Sequence, residues 1–316
     1  MSNLIARSVV SVVMALASTA VPGQEYPVKP VRILTASAGG GNDFVARLVA
    51  PPLSAALGQR VIIENRGGVI SAEVVSKAAP DGYSLLLTGS SFWISPFFRE
   101  VSYDPIRDYV PVSQATSTPN QLVVHTSLPV KSVRELIALA KARPGELDYA
   151  GSSIGSPPHM AAELFKAMTQ TKIVLINFKG TGPAITATLG GHVPVMFVPA
   201  GVAGPHVKAG RLRALAVTTA KRTPLAPGLP TVAETVPGYE VVSYIGFLAP
   251  ARTPDALVDR ISREIARVLQ RPEVRDRFFQ RGSETVGSTP AEFGAIMSAE
   301  IAKWGKLIRE AKLRAE

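Results

Sequence analysis

Short apolar runs alternate with segments of helical periodicity along the first third of this chain. Val31, Ile33 and Leu34 form an apolar run typical of a strand covered on both faces, and residues 60–64 and 84–88 form two more. Between these runs, apolar residues recur at helical spacing in 44–49 and 72–79. This βαβαβ order predicts an open, mostly parallel sheet with helices on both faces and ligands at the carboxyl ends of its strands.

Three consecutive glycines separate the first strand from its helix. Gly39, Gly40 and Gly41 permit positive φ and a close approach of the backbone to a ligand. A helix that starts there presents unpaired N–H donors and a partial positive charge, which favour an anion. Asn42 or Asp43 is predicted as its N-cap. A plain βα turn, in which the glycines only relieve strain, is the alternative that this stretch leaves open.

The same strand, glycine turn and helix recur twice in the middle of the chain. A strand at 147–150 leads through the serine-rich turn 151–158 to a helix at 159–169, and a strand at 172–176 leads through 178–183 to a helix. Further strands are predicted at 193–198, 213–218 and 240–249, and terminal helices at 253–270, 272–281 and 290–313. Pro51 and Pro52 predict a kink or restart in the first helix, because interior proline costs about 3 kcal/mol.

The length of 316 residues exceeds what a single core readily supports, so two lobes are expected. The three terminal helices are expected to pack back on the first lobe, which makes that lobe discontinuous. Chain crossings are predicted near 122–126 and 240–248, with Gly246 giving the second one room to flex. The predicted boundaries are 26–122 and 246–316 for the first lobe and 123–245 for the second.

The amino terminus resembles a signal peptide. Arg7 supplies a positive charge, residues 9–17 an apolar core and residues 18–20 a small-residue cleavage site, so residues 1–20 are predicted to be removed on export. A retained anchor is the alternative.

The chain has no cysteine, which excludes disulfides and thiolate metal sites. Its net charge is +10, of which +6 falls in residues 125–249, and this surplus favours anionic solutes. The sequence lacks a dense run of basic residues interleaved with aromatic residues, so it gives no indication of nucleic-acid binding.

Motifs for catalysis and cofactors are weak. Residues 151–155 match G-x-S-x-G, but a nucleophile elbow needs its helix directly after the serine, and here two prolines intervene. His192 and His206 are the candidate bases, and neither has an evident orienting carboxylate. No nucleotide motif or paired histidine spacing is present, so we expect no cofactor and no metal. Ser152, Ser153 and Ser156 are better interpreted as hydroxyl donors to a carboxylate.

A dozen short motifs recur in an order that identifies a family. They include AGGGNDFVARLVA, LGQRVIIENR, KAAPDGYSLLL, YDPIRDYVPV, KGTGPAI, GRLRALAVTT and PTVAETVPGYE, and they cover essentially the whole mature chain. Together they resemble the Bug-type extracytoplasmic solute receptors, the substrate-binding proteins of tripartite tricarboxylate transporters. The resemblance implies a type II periplasmic-binding-protein fold, in which two α/β lobes close on a carboxylated solute. It also implies a monomer that delivers its ligand to membrane permease subunits.

Such receptors hold the carboxylate through backbone amides, hydroxyls and water. Three loops of this chain match theirs, at 38–43, 152–156 and 179–182, and Asp43 matches an acidic position that we interpret mainly as a helix cap. The chain departs from the pattern in a trimmed loop at 67–71, in Asn177 and Phe178 before Lys179, and in the bulky Phe92 and Trp93, so the solute stays open. The candidate ligand-binding residues are Ala38, Gly39, Gly40, Gly41, Asn42, Asp43, Ser90, Ser91, Ser152, Ser153, Gly155, Ser156, His159, Lys179, Gly180, Thr181 and Gly182.

Two other functions stay open at this point. An exported α/β hydrolase would use Ser153 as its nucleophile. A ligand-sensing protein would dock on a membrane sensor kinase instead of a permease. His159 is either a donor that faces the ligand or a neighbour of the helix cap, and Lys179 either attracts the anion or is solvated.

Overall fold

The computed structural model describes residues 26–314, so the predicted signal peptide lies outside the described residues. The first lobe begins with three parallel strands in the order β2-β1-β3, whose registers pair Val31 with Val61 and Ile33 with Leu85. These strands and the two helices between them are β1 Val31–Thr35, α1 Gly41–Leu57, β2 Val61–Asn65, α2 Gly68–Ser76 and β3 Ser84–Gly89. The predicted βαβαβ unit is confirmed, although α2 begins four residues before its predicted start.

The expected N-cap of α1 is wrong, and of the kink or restart expected at its prolines the restart does not occur. The N-cap is Gly40, without a side-chain cap, and neither Asn42 nor Asp43. The helix also runs through Pro51 and Pro52 without a restart. Proline has no backbone N–H, so the carbonyl groups four residues before Pro51 and Pro52 lose their helical donors. This side of the helix is partly exposed, where water can hydrogen-bond to those carbonyl groups.

A short helix and one long strand follow the first unit. The helix α3 Ser91–Ile94 continues into a 3₁₀ turn, Ser95–Phe97, and β4 spans Tyr109–His125. The sequence predicted only a crossing near residues 122–126 in this strand, because its first part is rich in Ser, Thr, Gln and Pro. β4 pairs with β9 (Val242–Pro250) up to Pro119 and with β7 (Val195–Pro199) from Asn120. One strand therefore belongs to the sheets of both lobes.

The second lobe is built on its own strands and helices. Its parallel strands β6, β5 and β7 lie beside β4, and β8 pairs with the other edge of β4. The remaining elements are α4 Val133–Ala142, β5 Leu147–Gly151, α5 Pro157–Thr169, β6 Ile173–Asn177, α6 Thr181–Leu189, α7 Ala200–Lys208 and β8 Leu212–Val217.

The chain returns to the first lobe through β9, which pairs antiparallel with β3 as well as β4. The terminal helices then cover that lobe, as predicted: α8 Asp255–Leu269 and α9 Pro272–Gln280 share an apolar core with α1, β1 and β3. They are followed by the short β10 Glu284–Thr285 and the helix α10 Pro290–Glu310.

The largest apolar cluster contains residues from both lobes. It joins Trp93 and Trp304 of the first lobe to Phe165 and Tyr239 of the second, and each of these rings is at most 1% exposed. The lobes also touch where α7 begins, since a Cβ at Gly201 would overlap the carbonyl of Arg281. Gly246 lies in mid-strand, where an added Cβ would lie 2.6 Å from Phe293 Cε1 and 2.9 Å from the Ser113 carbonyl oxygen.

Candidate functional site

One cavity opens where β1 and β3 end and where α1, α2 and α3 begin. This first cavity has a volume of about 340 Å³ and is lined by Asn42, Thr88, Ser91, Phe92 and Arg99, among others. No Asp or Glu lines it. Hydroxyl and amide groups therefore share the lining with apolar side chains where strand ends and helix starts meet, as expected for a ligand site in a sheet of this kind.

A second cavity lies on the facing side of the second lobe. It has a volume of about 520 Å³ and is formed by the turns that follow β5 and β6, with Ser152, Ser153, Asn177, Lys179 and Gly180 in its lining. Phe98 and Arg99 of the first lobe complete that lining. Arg99 therefore borders both cavities. The structure thus places parts of all three predicted loops in two cavities that have Arg99 in common.

The glycine turn after β1 differs from the prediction in its backbone. Only Gly39 has positive φ (83°), whereas Gly40 is extended at φ −84° and ψ 175°. The residues from Ala38 to Gly41 are exposed and directly precede Asn42, which lines the first cavity. The N–H groups of the first turn of α1 have no partner within the helix, so they remain available to a ligand.

Asp43 serves the turn itself. Its Oδ2 accepts hydrogen bonds from the Gly39 N–H (2.9 Å) and from Arg47 Nε (2.9 Å), while Oδ1 accepts one from Asn65 Nδ2 (2.9 Å). The hydrogen bond from Arg47 is the largest cause, and that from Gly39 the next, of lowering the pKa of Asp43 to about 2. The carboxylate is therefore ionised and fully used in holding the glycine turn to β2.

The turn after β5 is also held by its own residues. The buried His159 accepts a hydrogen bond at Nδ1 from the Gly155 N–H (3.3 Å), and burial lowers the pKa of this imidazole. Ser156 caps α5 and donates to the Ser153 carbonyl oxygen (2.7 Å). The hydrogen bonds of His159 and Ser156 thus hold this turn in place. Ser153 is exposed, and its hydroxyl lines the second cavity.

The turn after β6 is tied to its neighbour. The Gly180 N–H donates to the Ser152 carbonyl oxygen (2.9 Å), so this amide is already paired within the protein. Lys179 is exposed and lines the second cavity. Thr181 and Gly182 begin α6 and are not part of that lining.

Ser90 and Ser91 have different positions. Ser90 is 2% exposed, and its Oγ accepts a hydrogen bond from the Tyr244 N–H (3.0 Å), so it joins β3 to β9. Ser91 is exposed and lines the first cavity. Phe92 forms part of the same lining and stacks on Tyr103 at 4.7 Å, whereas Trp93 is fully buried.

Arg99 is the residue that the sequence did not reveal. It follows an aromatic cluster and precedes Glu100, a context that does not distinguish it from a solvated surface arginine. Within residues 26–314, its guanidinium forms no ion pair and no hydrogen bond. Only the folded arrangement of the two lobes places it between the cavities.

The arrangement does not support hydrolysis. Among the described residues, Ser153 Oγ has no hydrogen bond to a histidine, and the nearby His159 uses Nδ1 to accept from Gly155. The helix begins at Pro157, four residues after Ser153, so the sharp elbow is absent. Residues 26–314 contain no cluster of three or more potential metal ligands and no helix that is long and apolar enough to cross a membrane.

Comparison with known proteins gives a consistent result. A family model described as the tripartite tricarboxylate transporter family receptor matches residues 45–313. The chain is 34% identical to the protein BugT of Bordetella pertussis over 326 residues, covering 99% of each chain. Among solved structures, it is similar to R. palustris Rpa4515 with adipate (36% identity, TM-score 0.80, 92% of this chain and 100% of that one). It is also similar to the periplasmic binding protein BugD (29%, TM-score 0.77, 92% and 100%). These matches confirm the predicted two-lobed fold and a role in binding solutes, not in catalysis.

Proposed function

Because this chain belongs to the tripartite tricarboxylate transporter receptor family, we propose that it captures a small organic carboxylate between its lobes and delivers it to the membrane permease of such a transporter. In this proposal the protein is exported to the periplasm through residues 1–20 and acts there as a monomer. The observation that carries the proposal is the pair of cavities that share Arg99 in their linings and have no acidic side chain there.

The chemistry of the cleft suits a carboxylate. The start of α1 offers N–H groups whose dipole favours a negative charge by about 0.3–1 kcal/mol. Each hydrogen bond to a charged group adds about 1.5–3 kcal/mol, so a few such bonds reach the roughly 8 kcal/mol of micromolar binding. Asn42, Ser91 and Ser153 supply polar side chains in the two linings. The adipate in the structure of Rpa4515 supports a dicarboxylate of this size as the first ligand to test.

We further propose that the lobes are residues 26–122 with 246–316, and residues 123–245. The change of partner in β4 after Pro119 supports this division, since the two parts of the strand belong to different sheets. Closure by rotation about such crossings is the usual motion of two-lobed receptors.

The test of backbone capture is a calorimetric titration of purified protein with adipate, using the variants Gly40→Val and Lys179→Ala. Gly40 has an extended backbone, and an added Cβ would meet nothing closer than the Ser37 carbonyl oxygen at 3.5 Å, so valine is compatible with folding. Its branches would nevertheless lie beside the N–H groups at the start of α1. We expect affinity to fall more than tenfold, or about 1.4 kcal/mol.

Lys179→Ala is the matched control for charge alone. The side chain is exposed, so it contributes a screened, long-range attraction, and its removal should cost less than Gly40→Val. If Lys179→Ala abolishes binding while Gly40→Val leaves it intact, the anion is held by charge and the proposed site is wrong. If a pull-down with the ligand-loaded protein recovers a sensor kinase domain and not permease subunits, the proposed partner is wrong.

A further inference from the structure

We infer that Arg99 binds the second carboxylate of a dicarboxylate and so sets the preference of this receptor for diacids over monoacids. This inference rests on the proposed function and deepens it, because it names the substrate class. Arg99 lines both the first and the second cavity. Lys179 is the other basic residue in these linings, and it lies only in the second cavity.

The backbone of Arg99 is anchored, although its side chain is exposed. Its N–H donates to the Ser95 carbonyl oxygen (3.1 Å), which fixes it to the end of the turn that follows α3. The same helix is held in the core by Phe92 and Trp93, at 5% and 0% exposure. The backbone from which the guanidinium extends is therefore fixed at the end of this turn, and the side chain is ordered only when it pairs with a ligand.

The neighbouring residue brings this segment against the second lobe. The Phe98 ring lies edge-on to the His159 ring, with centroids 6.1 Å apart, and it packs below Gly155, where an added Cβ would lie 3.1 Å from Phe98 Cδ2. Arg99 is thus placed at the junction of the lobes, where it can reach a ligand that contacts both of them.

The guanidinium has its full capacity for hydrogen bonding. Within residues 26–314, no carboxylate lies within 4 Å of it, and its side chain forms no hydrogen bond. Neither cavity lining contains an Asp or Glu that would compete for it. A planar guanidinium forms two parallel hydrogen bonds with a carboxylate, which gives strength and a defined geometry.

A dicarboxylate can satisfy two parts of the cleft at once. One carboxylate would lie at the start of α1, beside Asn42 and the hydroxyl of Ser91, and the other would pair with Arg99. A monocarboxylate of the same length would fill only the first of these positions. The side chain at position 99 is then a specificity-determining residue, and the glycine turn supplies the affinity that both ligand classes share.

The test compares adipate with hexanoate, which has the same carbon chain and one carboxylate, by titration of the wild-type protein and of Arg99→Gln. We expect the variant to lose at least tenfold in affinity for adipate, equivalent to about 1.4 kcal/mol, and to bind hexanoate within twofold of wild type. Arg99→Lys keeps the charge but not the planar fork, so its affinity for adipate should lie between the two. Arg134→Gln removes an exposed arginine that lines neither cavity, and it should change neither affinity.

The outcomes separate this inference from the proposed function. If no mono-, di- or tricarboxylate binds the wild-type protein, the proposed function fails and this inference with it. If other carboxylates bind but succinate, adipate and suberate do not, only the inference is overturned. If adipate binds the wild type and Arg99→Gln equally, only the inference is overturned. An equal loss of adipate and hexanoate would also overturn it, because that pattern shows general electrostatic attraction, which salt would screen. Melting temperatures that match the wild type establish that Arg99→Gln is folded.

Discussion

Gly246 offers a direct test of how the first lobe is packed against its last helix. In the substitution Gly246→Ala, the new methyl group would lie 2.6 Å from Phe293 Cε1 and 2.9 Å from the Ser113 carbonyl oxygen. Favourable contacts between carbon atoms lie at about 3.5–4.0 Å, so the neighbours must move by nearly an ångström. The Phe293 ring is fully buried and packs edge-on to Trp93, with centroids 6.2 Å apart, so it has little room to move.

The expected loss of stability follows from two opposing effects. Overpacking of a buried site costs about 1–3 kcal/mol, and replacing glycine in a strand returns about 0.5–1 kcal/mol of backbone entropy. We expect Gly246→Ala to lower the free energy of unfolding by about 1–2 kcal/mol. Urea denaturation measures this as a lower midpoint with an unchanged slope. Gly294→Ala is the matched control: it lies inside α10, its added Cβ would be 3.4 Å from Pro111 Cγ, and it should be neutral or slightly stabilising.

A second variant tests whether the Phe293 ring is the cause. Phe293→Ala alone should cost about 3–5 kcal/mol, because it leaves a cavity. In that background Gly246→Ala should cost less than it does in the wild type, with a coupling of about 0.5–3 kcal/mol. Unchanged stability of the single variant, or an equal penalty in both backgrounds, would refute the packing argument. Either result would favour the other role predicted for Gly246, which is to give the second crossing room to flex.

Two further predictions concern closure and pH. Small-angle scattering should show a smaller radius of gyration with saturating adipate than without it, and identical profiles would contradict closure about the crossings near residues 122–126 and 240–248. Burial lowers the pKa of His159. Its imidazole is therefore protonated near pH 6.5 in the unfolded chain, but only at lower pH in the folded protein. The stabilisation by the bond from Gly155 to His159 is therefore full above that pH and is lost progressively as the pH falls below it, through the lowered pKa of the folded state. The stability advantage of the wild type over His159→Gln should narrow over this range in denaturation curves, and a constant difference would show that the imidazole does not titrate as argued.

Much of the fold is determined by local sequence patterns. The apolar runs at Val31 and at residues 84–88 specify buried strands, and the glycine turns between strands and helices specify βα units, because these signals depend only on near neighbours. The order of the units then restricts the topology to a parallel sheet with right-handed crossovers. The turns that the sequence singled out do contribute residues to the two cavities, among them Asn42, Ser153 and Lys179.

The tertiary structure decided which of those residues are already used and which residue lies between the lobes. Asp43 and Ser90 have polar side chains in the predicted loops, but each accepts a hydrogen bond from a residue distant in the sequence, Asn65 and Tyr244 respectively, and no local pattern shows such partners. Likewise, β4 looks like a polar linker before residue 122 and becomes a strand because β9, more than a hundred residues later, pairs with it. Arg99 has the same local signature as any exposed arginine. Its position between two cavities exists only because the second lobe folds against the segment that carries it.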